Sequence, residues 1–438
     1  MTAAPLTLLF VTRTSPFAGD SGSGAYVFDL LRHLASEGFK IHIVWTEPPD
    51  LAPSRGWFNP PTIEPGVFTL EIMGTVKLGR RYWKPDIVWL PFKARASHRV
   101  KTFLRALHLW PRTPRAVPSA SDAAHATPHS AQPSWGFPAT QAESDAIANA
   151  IARLKPDVVL ANYAWMAPAV CDPHRLHPPC AVLTHDVRHR QLHLIEGHPV
   201  EVLGEHMSAE DEFASLQATD GLIAIQSTEA RVFAHLFPNK RIVTAPLPVR
   251  PRPLPVPAQP TLLFVGSQHG PNITGLRWFI NHVWPLVRHT TPAARLLIAG
   301  TVCKEFPSPQ PEGIEVLGRL PDLATAYARS AFVIAPILQG SGIKIKILEA
   351  TGFGRACVTT SVGLEGLESL QPALRVADTP ETFANEVNRL LLPHAATEAA
   401  EQILALARVH LSVDACYAPV AQLLRTLTEP NSDAPFSP

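Results

Sequence analysis

Between Pro246 and Pro260, seven of fifteen residues are proline, a density that helices and central strands do not tolerate. Whatever folds before this stretch has to be built separately from whatever folds after it. The chain is therefore read as residues 1–245, a stiff linker 246–260, residues 261–410, and a C-terminal helix and tail 411–438. Its 438 residues also exceed what one ordinary core accommodates, so two domains are the default.

Both sides of the linker alternate between short apolar runs and helical periodicity. Before it, Leu6–Thr12 reads as a strand, followed by a helix from Ala25 to Ser36 with Val27, Leu30, Leu31 and Leu34 on one face. Strand Lys40–Trp45 follows Gly38. Further on come helix 141–154, strands over Lys155–Ala161, Cys180–Thr184 and Asp220–Gln226, and helix 205–217. Ser227 is read as the cap of the helix after the last strand. After the linker the pattern restarts with strand Leu262–Gly266 and a helix over 273–289. Strands follow at Arg295–Gly300, Glu315–Leu317, 331–335, Ala356–Thr360 and Leu374–Val376, with helices at 322–329, 380–392, 396–410 and 414–428. Such alternation predicts two doubly wound parallel sheets covered on both faces, an α/β chain with a ligand cleft between its halves. In such sheets ligands lie beyond the carboxyl ends of the strands, where 13–24, 185–190, 266–272 and 337–349 fall.

Only one of these loops carries concentrated chemistry. From Pro336 the sequence runs P-I-L-Q-G-S-G-I-K-I-K-I-L-E-A: a strand end, a glycine turn, then a helix bearing Lys344, Lys346 and Glu349 on its first turns. Backbone N–H groups at a helix N-terminus suit a phosphate, and two lysines add mobile positive charge. A carboxylate one turn on can accept hydrogen bonds from sugar hydroxyls. The spacing thus predicts a site for a phosphorylated ribose. Lys344 is equally readable as a solvated neighbour, and Glu349 as a helix surface charge.

Other classes fit less well. Gly19, Gly22 and Gly24 at the first turn do not have the G-x-G-x-x-G spacing of a dinucleotide site. A net charge of +1 offers nothing to nucleic acid. The five cysteines (Cys171, Cys180, Cys303, Cys357, Cys416) are odd in number and scattered, which argues against a disulfide framework or zinc knuckle and fits a reducing cytosol. His185, Asp186, His189 and His193 lie close in sequence but lack the acid content of a metal site. No signal-peptide pattern opens the chain and no uncharged run reaches spanning length, so a cytoplasmic protein is expected. Residues 77–115 hold eleven Lys/Arg and one acid, Asp86. Phe103, Leu104, Leu107 and Trp110 interleave with Arg99, Lys101 and Arg105 at helical spacing. Segment 93–112 is then either an amphipathic helix packed on its own domain or a peripheral membrane contact at the inner face. Residues 111–140, rich in Pro, Ser and Ala, read as a mobile loop.

The segments F-V-G-S-Q-H-G-P-N-I-T-G-L-R-W-F, G-S-G-I-K-I-K-I-L-E-A and T-T-S-V-G-L-E-G-L, with A-S-L-Q-A-T-D-G-L-I-A-I-Q-S-T-E-A before the linker, resemble glycosyltransferase family 4, retaining enzymes of the GT-B fold. The resemblance is strong over 205–370, moderate over 6–45 and 155–190, and absent over 46–150. It implies two Rossmann-like domains facing each other across a cleft, with a C-terminal helix crossing back to the N-terminal domain. A nucleotide-diphosphate sugar would bind mainly to the C-terminal domain, and a glycan or lipid-linked acceptor to the N-terminal one. Glu349 matches the second glutamate of the family's pair, which holds the ribose hydroxyls; the first falls at Ser341. Lys346, with Lys344 as second choice, matches the diphosphate contact, and Gly340, Ser341, Gly342 and Ile343 offer backbone amides. The family's Arg/Lys pair is missing, and Gly266, Ser267, His269 and Asn272 occupy its loop. Gly22 and Gly24 match the glycine loop near the transferred sugar, His185 a histidine near its hydroxymethyl group, and Glu365 a frequent acidic position. His185 is also readable as a satisfied loop histidine, His269 and Asn272 as holding their loop in shape, and Glu365 as a turn residue. With no D-x-D motif, transfer without a metal or other cofactor is expected, with Lys346, Glu349 and His185 as the catalytic set. The alternatives are an inactive sugar-nucleotide-binding or partner-docking protein and a GT-B-fold sugar epimerase.

Overall fold

The computed structural model describes residues 5–17, 22–46, 57–58, 67–73, 75–78, 81–83, 138–171, 178–187, 208–307, 309–339 and 344–429. Gly340, Ser341, Gly342 and Ile343, the basic stretch 93–112 and most of the loop 111–140 lie outside them.

The first sheet contains β1 (Thr7–Thr12), β2 (Lys40–Trp45), β4 (Phe68–Ile72), β7 (Val158–Asn162), β8 (Cys180–Leu183), β9 (Gly221–Ala224) and β10 (Arg241–Thr244). Its order is β10-β9-β8-β7-β1-β2-β4, parallel at every pairing. Phe10 is paired with Ile43 on one side and Leu160 on the other. Every residue of β7, β8 and β9 is buried, which is why these strands read as unbroken apolar runs rather than alternating ones. β4 and β10 were not anticipated, and neither was a small antiparallel sheet of β3 (Trp57–Phe58), β5 (Val76–Leu78) and β6 (Arg81–Trp83). The outer strand β10 is only half-buried, so its hydrophobic signal is weak.

The second sheet contains β11 (Thr261–Val265), β12 (Arg295–Ala299), β13 (Ile314–Gly318), β14 (Phe332–Ala335), β15 (Ala356–Thr359) and β16 (Arg375–Val376), in the order β13-β12-β11-β14-β15-β16 and again all parallel. In each sheet the order reverses at one place, between β1 and β7 and between β11 and β14. There the connections leave in opposite directions and open a crevice. The helix after β11 runs as Gly270–Trp278, a wider π turn Phe279–Val283, and Trp284–Thr290. The π turn lies just ahead of Pro285, whose missing N–H interrupts the regular ladder.

The proline stretch is fastened to the second sheet by Arg355. This fully buried guanidinium donates to the carbonyls of Leu254, Pro255, Phe353, Gly354 and Tyr327. The C-terminal helix Val413–Thr428 crosses back to the first sheet. Arg241 Nη1 donates to Thr426 O at 3.2 Å, and Arg425 pairs with Glu37. Together Ala395–Thr428 is long and apolar enough to cross a membrane by length and composition, although no uncharged run within it reaches spanning length. It is broken at Leu411 and Ser412, however, and Ile403, Ala407, Tyr417, Val420 and Leu424 are buried in the core.

Two further readings need correction. Cys171 and Cys180 are joined by a disulfide, Cα to Cα 6.7 Å; an odd cysteine count leaves room for one pair. Ser227 is not a cap. Gln226 stands at the N-cap of the helix Ser227–Leu236, and Ser227 Oγ donates to Glu368 Oε2 at 2.9 Å across the domain boundary.

Candidate functional site

The crevice of the second sheet brings two loops together. The helix Gly270–Trp278 can approach the exit of β14 because residue 275 is glycine: a Cβ there would lie 1.8 Å from Pro336 O. This contact sets Asn272 opposite the helix Ile345–Gly352. Asn272 donates to Ser267 O at 3.0 Å and to Ser267 Oγ at 3.2 Å, and its Oδ1 accepts from Lys346 Nζ at 2.5 Å. Lys346 also lies 4.7 Å above the Phe264 ring centroid. Burial lowers its pKa to about 8, because desolvation disfavours the ammonium. A mostly desolvated cation with one neutral partner is well suited to an entering anion.

Lys344 is placed differently from the expectation. It occupies the N-cap position of the helix rather than its first turn and is buried. Burial lowers its pKa, against the opposing pull of Glu365 and Glu229. Glu365 is exposed, just after the short helix Ser361–Leu364. Glu349, one turn on from Lys346, accepts from the Tyr327 hydroxyl at 3.2 Å, and burial raises its pKa. Tyr327 stacks on Phe353 at 4.2 Å, and Arg252 of the linker covers the same Phe353 ring at 4.1 Å. Glu349 and Arg252 open onto an interdomain cavity of about 1170 Å³, faced on the other side by Phe28, Asp29 and Arg32. Gly266 is buried at the end of β11, while Ser267 and His269 are exposed, His269 at the N-cap of Gly270–Trp278 without a capping bond.

The crevice of the first sheet holds His185. Its Nε2 lies 2.7 Å from Asn162 Oδ1. The Asn162 amide nitrogen donates to Thr12 Oγ1 at 3.0 Å and Thr14 Oγ1 at 3.1 Å, so the oxygen faces the ring and Nε2 carries the proton. Burial pulls the His185 pKa down to about 3, so the imidazole is neutral and Nδ1 is its acceptor. Tyr163 stacks on it at 4.2 Å, and Trp165 stacks on Tyr163 at 4.2 Å. Both His185 (φ 61°) and Tyr163 (φ 73°) occupy the left-handed region, strain that persists only where surroundings enforce it and that gathers at functional sites. Gly22 and Gly24 lie in the first turn of the helix Gly22–Ser36, not in a turn before it. Two residues on, Tyr26 meets His185 edge to face, ring centroids 5.7 Å apart.

The two crevices meet at a seam. Gly366, with φ +78°, presses on Gln226, whose Oε1 would be 2.3 Å from a Cβ there. Gln226 Nε2 donates to Glu229 Oε1 at 2.6 Å, and Glu229 in turn is within electrostatic reach of Asp186 and Lys344. Sequence reading missed Asn162, Tyr163, Tyr327, Arg252 and Glu229. Only the aromatic cluster N-Y-A-W at the end of β7 was a usable signal. Among the described residues no group of three His, Cys, Asp or Glu side chains could hold a metal ion.

Residues 259–392 match the family model described as Glycosyl transferases group 1. A protein of Klebsiella pneumoniae, described as an uncharacterized 44.6 kDa protein in cps region, is 33% identical over 116 residues, 24% of this chain and 30% of that protein. The match therefore spans under a third of that relative's length. Among solved structures, a sucrose-phosphate synthase from Thermosynechococcus elongatus superposes with TM-score 0.61 at 13% identity, over 96% of this chain and 99% of that one. An alpha,alpha-trehalose-phosphate synthase (UDP-forming) from Burkholderia xenovorans, in complex with glucose-6-phosphate, gives 0.56 at 11% identity over 96% and 100%. An E. coli structure titled trehalose-6-phosphate, bound with UDP-2-fluoro glucose, gives 0.58 at 10% identity over 97% and 99%. Identities this low speak for the fold alone.

Proposed function

We propose, for a chain with the GT-B fold whose residues 259–392 match the glycosyl transferases group 1 model, a retaining, metal-independent glycosyltransferase that moves a sugar from a nucleotide-diphosphate donor to a glycan or lipid-linked acceptor. The observation that carries this reading is the Lys346–Asn272 contact, which sets a buried ammonium between the two loops of the β11–β14 crevice, beside a helix N-terminus. Charge growing on the leaving diphosphate is stabilised there by groups already in place, so no reorganisation is needed during reaction. Glu349, opening onto the interdomain cavity beside Arg252, takes the ribose hydroxyls. The sugar extends to the helix start at Gly22 and Gly24 and to His185, whose neutral ring accepts a hydroxyl proton through Nδ1. The acceptor hydroxyl attacks the anomeric carbon from the face the diphosphate leaves, its proton passing to a departing phosphate oxygen, which gives retention without an enzyme nucleophile.

The chain is proposed to work in the cytoplasm, with 93–112 as its peripheral membrane contact. In a reducing compartment Cys171 and Cys180 would be held as thiols. The decisive experiment is a thermal-shift screen of UDP-, GDP- and ADP-sugars, followed by donor hydrolysis. Release of free sugar and nucleoside diphosphate, unchanged by EDTA and lost in Lys346→Met with folding intact, is expected. A changed sugar nucleotide formed without acceptor would instead identify an epimerase, and binding without turnover an inactive binder.

A further inference from the structure

Two arginines of the linker line the interdomain cavity, and the fold uses them differently. Arg250 pairs with Asp29 on the helix Gly22–Ser36, joining the two walls. Arg252 is exposed, and among the described residues no hydrogen bond or ion pair takes up its guanidinium. It is nevertheless held in place. Its backbone N–H donates to Gly352 O at 2.7 Å, and Pro251 and Pro253 on either side restrict the chain. Its guanidinium carbon lies 4.1 Å from the Phe353 ring centroid. Phe353, 1% exposed, stacks in turn on Tyr327 at 4.2 Å, and the Tyr327 hydroxyl donates to Glu349 Oε2 at 3.2 Å. A guanidinium is planar, weakly hydrated and inclined to stack on π systems. With one side on a phenyl ring and its N–H groups unspent, Arg252 is suited to a second planar group entering from the cavity.

We propose that Arg252 binds the nucleobase of the donor, which lies in the interdomain cavity against the guanidinium plane. This rests on reading Lys346 as the diphosphate contact and Glu349 as the ribose contact. A nucleotide runs in order from phosphate through ribose to base. Along the helix Ile345–Gly352, Lys346 precedes Glu349 by three residues and Phe353 follows it by four, about 4.5 Å and about 6 Å of axial rise. With phosphate and ribose set in that order, the base falls past Glu349, at the end of the helix where Arg252 covers Phe353. Leu348 and Gly352 line the cavity beside it and Phe28 faces them from the other domain, and about 1170 Å³ is ample for a nucleoside. Stacking tolerates any base, so Arg252 contributes affinity whichever base the donor carries, and its N–H groups can add a bond to a base carbonyl or ring nitrogen.

The test uses the full chain with Arg252→Leu and Arg252→Lys, both at an exposed position, with circular dichroism to confirm the fold. Calorimetry measures affinity for UDP, GDP and ADP, for ribose 5-phosphate and for inorganic pyrophosphate. For the nucleotide that the unmodified protein binds best, Arg252→Leu is expected to weaken binding about tenfold, within the range that stacking of one base contributes. Affinity for ribose 5-phosphate and pyrophosphate, which carry no base, is expected to stay unchanged. Arg252→Lys keeps the charge but not the plane, and is expected to show most of the same loss. Unaltered nucleotide affinity in both variants overturns the inference. So does a loss shared equally by pyrophosphate, or full recovery in Arg252→Lys, either of which would mark the arginine as a general positive charge. In each of these outcomes nucleotide binding that is lost in Lys346→Met keeps the donor-site reading intact. If none of the three nucleotides binds the unmodified protein, that reading fails and the inference fails with it.

Discussion

Lys346 Nζ and Asn272 Oδ1 lie 2.5 Å apart, the one on the helix after β14 and the other on the helix after β11. The pair fixes a largely desolvated ammonium over the crevice where the strand order reverses, which on the proposed reading takes the donor's diphosphate. Loss of the charge in Lys346→Met should lower kcat/KM for donor turnover by about 10²-fold or more, and Asn272→Ala by less, since it removes only the orientation. Burial puts the Lys346 pKa at about 8, and the site needs the protonated form. Donor kcat/KM should therefore be high below that pH and fall as pH rises through it. The limb in kcat should lie higher, because bound diphosphate favours the ammonium. Steady-state kinetics across pH provide the check.

Gly275 makes that contact geometrically attainable. In Gly275→Ala the new Cβ meets Pro336 O at 1.8 Å, so the helix Gly270–Trp278 has to retreat from β14. Overpacking of this kind costs about 1–3 kcal/mol, readable by urea denaturation. The more telling outcome is a raised KM for donor in the surviving folded protein, because Asn272 retreats with the helix.

A buried ion pair ties β1 to the helix Gln141–Leu154. Arg13 and Glu143, with side chains 3% and 6% exposed, meet at 2.7 Å. Thr46 Oγ1 and Thr140 N also donate to the carboxylate. Burial alone would raise the Glu143 pKa, but these bonds outweigh it and hold it at about 2. The folded value is depressed, so the stability it contributes is present above the usual carboxylate range and drains away as pH falls toward 2. Glu143→Ala, which strands a buried guanidinium, should cost about 3–5 kcal/mol near neutral pH. In urea titrations the difference between variant and unmodified protein should shrink as pH is lowered.

Arg355 sets the path of the linker. Arg355→Met removes one donor from each of five backbone carbonyls, of which Phe353 O keeps Leu254 N and Tyr327 O keeps Ser330 N. The loss should be about 3 kcal/mol or more. Calorimetry should show the unfolding of the second sheet shifted to lower temperature. Proteolysis of the variant should begin at the proline stretch, and that stretch should stay uncut in the unmodified protein under the same conditions.

Much of this architecture was open to local reading. A strand buried on both faces has to be apolar throughout, so Leu8–Val11, Val158–Ala161, Leu262–Val265 and Phe332–Ala335 announced two parallel sheets before any coordinates. The proline run announced the break between them, and Gly340–Ser341–Gly342 ahead of two lysines is the local pattern behind the proposed anion site. Each of these signals is carried by neighbours in sequence, because periodicity, proline geometry and glycine backbones act within a few residues.

What acts between distant residues had to wait for the tertiary structure. Asn272 does hold its loop in shape, donating to Ser267, but only the fold shows that its oxygen also accepts from Lys346, 74 positions away. Ser227 followed the helix-cap rule on paper, but the fold gives its hydroxyl to Glu368, 141 positions away. His185 and Tyr163 carry no sequence sign of left-handed backbones or stacked rings. Sequence alone determined which segments are buried, since burial of a whole element leaves a composition. Which polar side chains meet, and therefore which are charged, was decided by how loops and helices from distant parts of the chain pack together, which no local pattern encodes.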